Sequence, residues 1–284
     1  MAKQKSILQT DEEVRKTDER LRYYSFGYAV AQFFAYALVV LVFYWQANFP
    51  LFGTAPLPTS VKQGTVGLQW FYPTESSGTG DVRRVAHYHP ILMVVGFLFL
   101  QGEAIMAYRA HRHDAKLFTK ILHAAFHLVG VIVGVFGIVA IWRFKEIVMV
   151  RHLYSAHSWG GVALLVVYVL QYILGFVGFL FPKFGLDGRR WLLPVHRFVG
   201  FATFLGAACV SVMGIAEWSF AYGITDYTYA NATTGYIYTP CYQYLCREGL
   251  IVNFTVLSLV FFVVTVTWIT SYAKYARRPL RKDK

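Results

Sequence analysis

The chain has few charged residues for its length, and acidic residues are the scarcer kind. Only 15% of its 284 residues are charged, and 15 aspartates and glutamates stand against 27 lysines and arginines. With 56% hydrophobic residues in addition, the composition lies outside that of ordinary soluble domains. The sequence therefore indicates a protein that is embedded in a membrane.

Other common sequence features are also missing. The sequence contains no Cys-x-x-Cys-His motif, so covalent haem attachment is not indicated. The first 24 residues contain no cleavable apolar segment, so we expect the first apolar stretch to act as its own insertion signal. Cys241 and Cys246 lie near the end of the chain, and we expect them to form either a disulfide or two free thiols. Asn231, in an Asn-Ala-Thr sequon nearby, is a candidate glycosylation site.

Six apolar stretches are long enough to cross a bilayer, which takes about 20 residues for one helix. They cover residues 24–46, 88–108, 121–143, 156–181, 197–217 and 250–273. The sequence therefore predicts an all-α fold, a six-span transmembrane helical protein in which the central four helices form a bundle. We expect residues 24–273 to form the membrane domain, with its core at 88–217. The flanks 1–23 and 274–284 are then an N-terminal segment and a basic tail.

Lysine and arginine are distributed unevenly between the two sides of the predicted membrane. The segments 1–23, 109–120, 182–197 and 274–284 together hold 20 of the 27 basic residues. Basic residues near span ends are retained in the cytosol, so both termini are predicted to be cytosolic. The charge flanks spans instead of forming one patch, which disfavours nucleic-acid binding and suits a lipid bilayer. The plasma membrane and endomembranes (vesicle, lysosome or vacuole) all satisfy this rule.

Four of the nine histidines lie near the starts of predicted spans. His89 and His157 begin the second and fourth spans, whereas His123 and His196 begin the third and fifth, which run the other way. Two layers of two histidines follow, one near the outer face and one near the cytosol. Polar groups within a membrane usually face a cavity, a partner or a cofactor. Two six-coordinate haems b in a four-helix bundle would require such an arrangement.

Closed axial positions leave no iron site open to oxygen, so such haems would transfer electrons. A zinc site usually needs a third or fourth ligand, and no carboxylate or thiol is placed to supply one in either layer. His127 lies four residues after His123 on the same helical face and is an alternative ligand, although we favour His123. The other histidines are expected to be solvated: His87, His111, His113 and His152.

The motifs around the four histidines resemble the cytochrome b561 family. They are HPILM at 89–93, QGEAIMAYR at 101–109, KILH at 120–123, YSAHSWGG at 154–161 and LPVH at 193–196. The histidine intervals of 34, 34 and 39 residues are similar to the spacing in that family. The resemblance covers residues 88–217, and the first and last spans fit the six-helix layout without strong motifs.

The resemblance implies an ascorbate-dependent transmembrane oxidoreductase with two haems b. Electrons would pass from cytosolic ascorbate to a non-cytosolic acceptor, either monodehydroascorbate or a ferric chelate. His89 and His157 would hold the outer haem, and His123 and His196 the cytosolic haem. The family also suggests a homodimer. The alternatives are a dihaem membrane anchor that relays electrons for a partner enzyme and a histidine-based proton or metal transporter.

Ascorbate is an anion near neutral pH, so a cytosolic ascorbate site should contain cations. Lys116 and Lys120 are favoured, although the positive-inside rule alone would also place them there. The whole candidate set is Lys116, Lys120, Arg189, Arg190, Tyr108 and Arg109. The predicted outer loop from Arg143 to Leu153 is basic and would attract an anionic acceptor, and His152 is a weak candidate for binding it. Glu103, inside the second span, is expected to pair with a lysine or arginine of a loop.

Overall fold

A computed structural model of the chain describes residues 23–49, 68, 82–147, 149–222, 225–229, 236–240 and 246–275. Six helices in these ranges are long and apolar enough to cross a membrane, which confirms the predicted six-span helical fold. They are α1 (Tyr24–Asn48), α2 (Arg84–Ala110), α3 (Lys116–Ile147), α4 (Ala156–Phe179), α5 (Leu186–Tyr222) and α6 (Arg247–Ser271). Most of the predicted N-terminal segment and tail lies outside the described residues, and so do Asn231 and Cys241.

Helix α2 is continuous but changes its pitch along its length. A 3-10 turn at Val82–His87 leads into α-helix at Tyr88–Val94, then a π-helical stretch at Val95–Leu100, and α-helix again at Gln101–Ala110. The π-helical stretch lies against α3, where a Cβ atom on Gly96 would lie 2.7 Å from the carbonyl oxygen of Gly130. The two backbones can approach this closely because both residues are glycine.

Two helices begin at least five residues earlier than the apolar pattern predicted. Helix α3 begins at Lys116 instead of residue 121, and α5 begins at Leu186 instead of residue 197. Hydropathy detects only the apolar part of a helix, and these first turns contain lysine, aspartate and arginine. As a result, the connection between α2 and α3 is only residues 111–115. His196 lies about three turns into its helix, not in its first or second turn.

The connection between α5 and α6 contains a β-hairpin that the sequence analysis did not predict. Strand β1 (Thr225–Tyr229) pairs antiparallel with β2 (Tyr236–Pro240). Both strands are rich in tyrosine and threonine, residues that favour strands. Cys246, just after this connection, is disulfide-bonded. Its Sγ also accepts the N–H of Gly249 at 3.1 Å, at the start of α6. Because Cys241 is not described, the predicted pair remains a prediction.

The largest hydrophobic core joins α1 and α6 to one side of the central helices. Leu38 of α1, Leu98 of α2 and Phe262 of α6 are fully buried in it. Among the central helices, α2 packs along α3 and α4 packs along α5, whereas these two pairs make fewer contacts with each other. The histidines of interest lie between the two pairs.

Candidate haem-binding site

The first histidine pair is formed by α2 and α4 at the end of the bundle opposite Tyr24 and Ser271. The ring centroids of His89 and His157 are 6.0 Å apart, and the ring planes are perpendicular at 90°. Nδ1 of His89 lies 3.0 Å from the carbonyl oxygen of Gly137, and Nδ1 of His157 lies 2.9 Å from that of Val210. A carbonyl oxygen only accepts, so each Nδ1 carries the proton and each Nε2 is left with a lone pair for a metal.

The second pair is formed by α3 and α5 at the opposite end. The ring centroids of His123 and His196 are 6.2 Å apart, with 67° between the planes. Nδ1 of His123 donates to the carbonyl oxygen of Ala104 at 2.7 Å, which again leaves Nε2 for a metal. Nδ1 of His196 is buried and has no hydrogen-bond partner among the residues that the structure describes. In this second pair, therefore, only His123 has an orienting hydrogen bond from its Nδ1 to a described residue.

Both pairs fit an iron ion with one imidazole on each side. A metal–imidazole bond is about 2 Å long, so two imidazoles that share one metal have ring centroids about 6 Å apart. The described residues contain no group of three or more histidine, cysteine, aspartate or glutamate side chains of the kind that a zinc site requires. The donor set is therefore suited to two haems with axial histidines.

Glycines make room for one ring of each pair. A Cβ atom on Gly214 would lie 2.7 Å from Cε1 of His157, and a Cβ atom on Gly175 would lie 2.7 Å from Cε1 of His196. Each glycine lies on the helix that faces the histidine, since Gly214 is in α5 and Gly175 is in α4. Any larger side chain at these positions would displace the ring.

His127, the alternative ligand, makes a hydrogen bond outside the two histidine pairs. Its Nδ1 lies 2.6 Å from the hydroxyl oxygen of Tyr168 on α4. Its ring lies beside His123, with the centroids 4.5 Å apart. The geometry therefore favours His123 as the histidine that faces His196.

The expectation that His87 is solvated is wrong. Its side chain is only 2% exposed, and its Nδ1 lies 3.0 Å from Oε1 of Gln46. The ring of Trp218 lies 5.7 Å away. The end of α1 covers the start of α2 here, an arrangement that no local sequence pattern signals.

The remaining histidines lie nearer the surface. His111 contacts Oδ2 of Asp114 at 2.8 Å in an exposed pair, and His113 is exposed. His152, the weak candidate for the outer acceptor, stacks on Trp142 with ring centroids 3.9 Å apart. The stacked imidazole is partly exposed, so it is accessible to a molecule in solution.

Four cations lie close together at the end of the bundle that holds His123 and His196. Lys120 donates from Nζ to the carbonyl oxygen of Phe179, the last residue of α4, at 2.9 Å. It also lies near enough to Lys116, Lys183 and Arg189 to be repelled by their charges. In the sequence, Lys183 is recognisable only as a basic residue beside a predicted span, and its place in this group was not predicted. The signal in the sequence that could have indicated its role was the position of Lys183 directly after Pro182, between two predicted spans.

The other predicted substrate residues have different surroundings. The ring of Tyr108 lies 5.4 Å from that of His123. Arg109 is buried and donates from Nη2 to the carbonyl oxygen of Thr270 at 2.6 Å, so it is directed toward α6. Arg190 is largely exposed and lies 3.5 Å from Asp187. The structure therefore groups Lys116, Lys120 and Arg189 but not Arg109.

The predicted partner of Glu103 is wrong. Nε2 of Gln32 in α1 donates to Oε1 of Glu103 at 2.7 Å, and no described loop cation pairs with this carboxylate. Gln32 lies at the same depth of the membrane, so an amide supplies the hydrogen bond that a buried carboxylate needs.

A polar cluster that the sequence did not predict lies at the end of the bundle that holds His89 and His157. Nζ of Lys145 lies 4.7 Å above the ring of Tyr154. Tyr154 donates a hydrogen bond to Glu217. Burial raises the pKa of the Tyr154 hydroxyl most, and the Glu217 carboxylate raises it further. The hydroxyl therefore stays protonated at neutral pH. Lys145 and Glu217 also interact electrostatically with His89. The signal in the sequence that could have indicated this cluster was Glu217, a carboxylate at the end of a predicted apolar span.

Comparison with known proteins agrees with this architecture. Residues 88–221 match the family model for eukaryotic cytochrome b561. The chain is 34% identical to the transmembrane ascorbate-dependent reductase CYB561 of Mus musculus over 190 residues, and this aligned region covers 66% of this chain and 70% of that protein. It is 37% identical over 129 residues to the Homo sapiens protein of the same name, with coverage of 45% and 51%. It is 30% identical over 193 residues to the plasma membrane ascorbate-dependent reductase CYBRD1 of Mus musculus, with coverage of 67% and 62%. The chain, an integral membrane protein with six helical spans, belongs to the eukaryotic cytochrome b561 family, whose cofactor is haem b.

Proposed function

We propose that the protein transfers electrons across a membrane from cytosolic ascorbate, through two haems b, to an acceptor on the other side. The observation that carries this proposal is the pair of matched histidine sets, 6.0 and 6.2 Å between ring centroids, at opposite ends of one bundle. His89 and His157 would hold the outer haem, and His123 and His196 the inner haem. Haem b bound at each end supplies a centre that accepts and gives up one electron at a time.

The inner end suits an anionic donor. Lys116 and Arg189 each repel Lys120, so an anion placed beside Lys120 relieves that repulsion and gains charge-assisted hydrogen bonds. Lys120 uses one N–H on Phe179, which leaves two for a ligand. On giving up one electron, ascorbate also loses one proton and becomes monodehydroascorbate. The ring of Tyr108 lies 5.4 Å from that of His123, so Tyr108 is next to the inner pair of histidines.

The outer end suits an anionic acceptor. Lys145 supplies the positive charge, and Tyr154 supplies a protonated hydroxyl that is hydrogen-bonded to Glu217. Monodehydroascorbate takes up one electron and one proton to become ascorbate, whereas a ferric chelate takes up one electron and becomes ferrous. The basic charge favours a chelate of net negative charge over a bare ferric cation. His152 is within the same outer region and remains a weaker candidate.

Orientation and assembly belong to the same proposal. The cations at the end that holds Tyr24 and Ser271 support a cytosolic location for both termini. A plasma membrane or an endomembrane satisfies this arrangement equally. We further propose a homodimer on the family resemblance, and the mass of the purified protein in detergent tests it.

Haem content and reduction by ascorbate test the proposal on the purified protein. We expect two haems per chain and an absorption band of reduced haem on addition of ascorbate. His157→Ala and His196→Ala should each lose one haem, while the exposed control His113→Ala should keep both. Haem-replete protein that ascorbate fails to reduce would contradict the assignment of the donor.

A further inference from the structure

His127 and Tyr168 form a hydrogen-bonded pair that links α3 to α4 between the two layers of histidines. Nδ1 of His127 and the hydroxyl oxygen of Tyr168 are 2.6 Å apart. Tyr168 is only 5% exposed. In a bilayer core, such a polar pair is costly to separate because water is not available to replace the lost partner.

Tyr168 is held in place by α2 and α3. The ring of Phe97, in the π-helical stretch of α2, meets the ring of Tyr168 edge-on with 5.0 Å between centroids and 83° between planes. A Cβ atom on Gly130 would lie 3.4 Å from the Tyr168 hydroxyl, so the absence of a side chain there leaves room for it. The hydroxyl therefore has one position, and that position determines where His127 lies.

His127 in turn lies directly against an inner histidine of the proposed haem site. The rings of His127 and His123 are 4.5 Å apart and nearly perpendicular, at 82°. Rotation of the His123 ring about its own side-chain bonds would bring it into the His127 ring. The hydrogen bond to Ala104 fixes one edge of His123, and the His127 ring limits its face.

This restraint matters more at the inner pair than at the outer pair. At the outer pair, both histidines have an Nδ1 hydrogen bond to a carbonyl, whereas Nδ1 of His196 has no partner within the described part of the chain. Of the two inner rings, only that of His123 is therefore oriented by a hydrogen bond from its Nδ1 to a described residue. Groups beyond the ligands set the ring orientation and so tune the metal that the ligands hold.

We propose that Tyr168 and His127 are positioning residues for the inner haem: the hydrogen bond between them holds His127 against His123 and fixes the plane of that axial imidazole. This inference rests on the proposed function, in which His123 and His196 bind the inner haem. His127 is thus assigned a role in the reaction without being a ligand. The electron does not pass to either residue, and neither one changes its oxidation state.

The substitution Tyr168→Phe tests the proposal because it removes one hydroxyl and keeps the ring against Phe97. The matched control is Tyr172→Phe, one helical turn further along α4, where the hydroxyl makes no hydrogen bond with a described residue. Electron paramagnetic resonance of the oxidised full-length protein reports the angle between axial rings for each haem. We expect Tyr168→Phe to shift one of the two low-spin signals and leave the other unchanged, and we expect Tyr172→Phe to shift neither.

A second variant tests whether the two residues act as one unit. His127→Gln should shift the same signal as Tyr168→Phe, and the double variant should add little to the larger single effect. Loss of the inner haem on dilution should rise by about tenfold in both single variants, as for other groups that orient metal ligands. The melting temperature, measured in parallel, separates this effect from general destabilisation.

The experiment distinguishes a failure of the positioning role from a failure of the proposed haem sites. A wild-type protein without two bis-histidine signals would overturn the proposed haem sites themselves. Two normal wild-type signals that Tyr168→Phe leaves unshifted would overturn the positioning role alone. The same conclusion holds if Tyr168→Phe lowers the melting temperature but moves neither signal, because the hydrogen bond would then serve only helix packing.

Discussion

At the scale of single residues, small side chains opposite the histidines matter as much as the histidines themselves. Gly214→Ala should displace His157, because the added Cβ atom would lie 2.7 Å from Cε1 of that ring, and Gly175→Ala should displace His196 in the same way. The cost of such overpacking is about 1–3 kcal/mol. We expect each variant to retain close to one haem per chain, measured after purification.

The matched control for these glycine variants is Gly161→Ala in α4. Its added Cβ atom would meet Val210 at 3.8 Å, which is ordinary contact. This variant should keep two haems. If all three variants have the same haem content, the rings do not lie where the structure has them.

Lys120 illustrates a residue with a structural contact and a proposed binding role. Lys120→Gln keeps a donor for the carbonyl oxygen of Phe179 but removes the charge. We expect the KM for ascorbate to rise by about tenfold, since a hydrogen bond to a charged group contributes about 1.5–3 kcal/mol. Haem content should stay unchanged. Stopped-flow reduction by a series of ascorbate concentrations measures the effect, with Arg151→Gln at the other end as the control.

An unchanged KM in Lys120→Gln, with a lowered melting temperature, would mean that Lys120 serves only to hold α3 against the end of α4. The donor site would then have to be sought among Lys116, Lys183 and Arg189. An equal rise in KM for Arg151→Gln would instead indicate a general effect of net charge.

At the scale of helices, the contact between α2 and α3 depends on two glycines. A Cβ atom on Gly130 would lie 2.8 Å from the carbonyl oxygen of Gly96, a backbone atom that cannot move alone. Gly130→Ala should therefore push the helices apart and lower the melting temperature by several degrees, from a cost of about 1–3 kcal/mol. Gly185→Ala, where nothing lies within 4 Å of the added atom, is the control. Equal melting temperatures in the two variants would contradict this contact.

Helix positions could be predicted from the sequence more fully than helix ends. All six spans were found because each has an apolar stretch of sufficient length. The early starts of α3 and α5 were missed because Lys116 and Arg189 add helical turns without adding hydropathy. The π-helical stretch of α2 was also missed, since the close approach of Gly96 to Gly130 is a tertiary contact.

At the scale of the whole molecule, alternating span direction was enough to predict the histidine pairs. His89 lies opposite His157 and His123 lies opposite His196, as the direction of their helices required. Partners from distant helices could not be predicted in this way. Gln32 beside Glu103 and Gln46 beside His87 both come from α1, and no sequence pattern relates the depth of α1 to that of α2.

The central claim is that electrons cross the membrane through this chain, and sealed vesicles test it most directly. Vesicles that contain the purified protein are loaded with ascorbate, and a membrane-impermeant ferric chelate is added outside. We predict that ferrous iron forms outside at a rate proportional to the haem-loaded protein, and that His123→Ala and His157→Ala each abolish this transfer. Ferrous iron formation that continues in both variants, or none with the wild-type protein while its haems are reduced, would contradict the account.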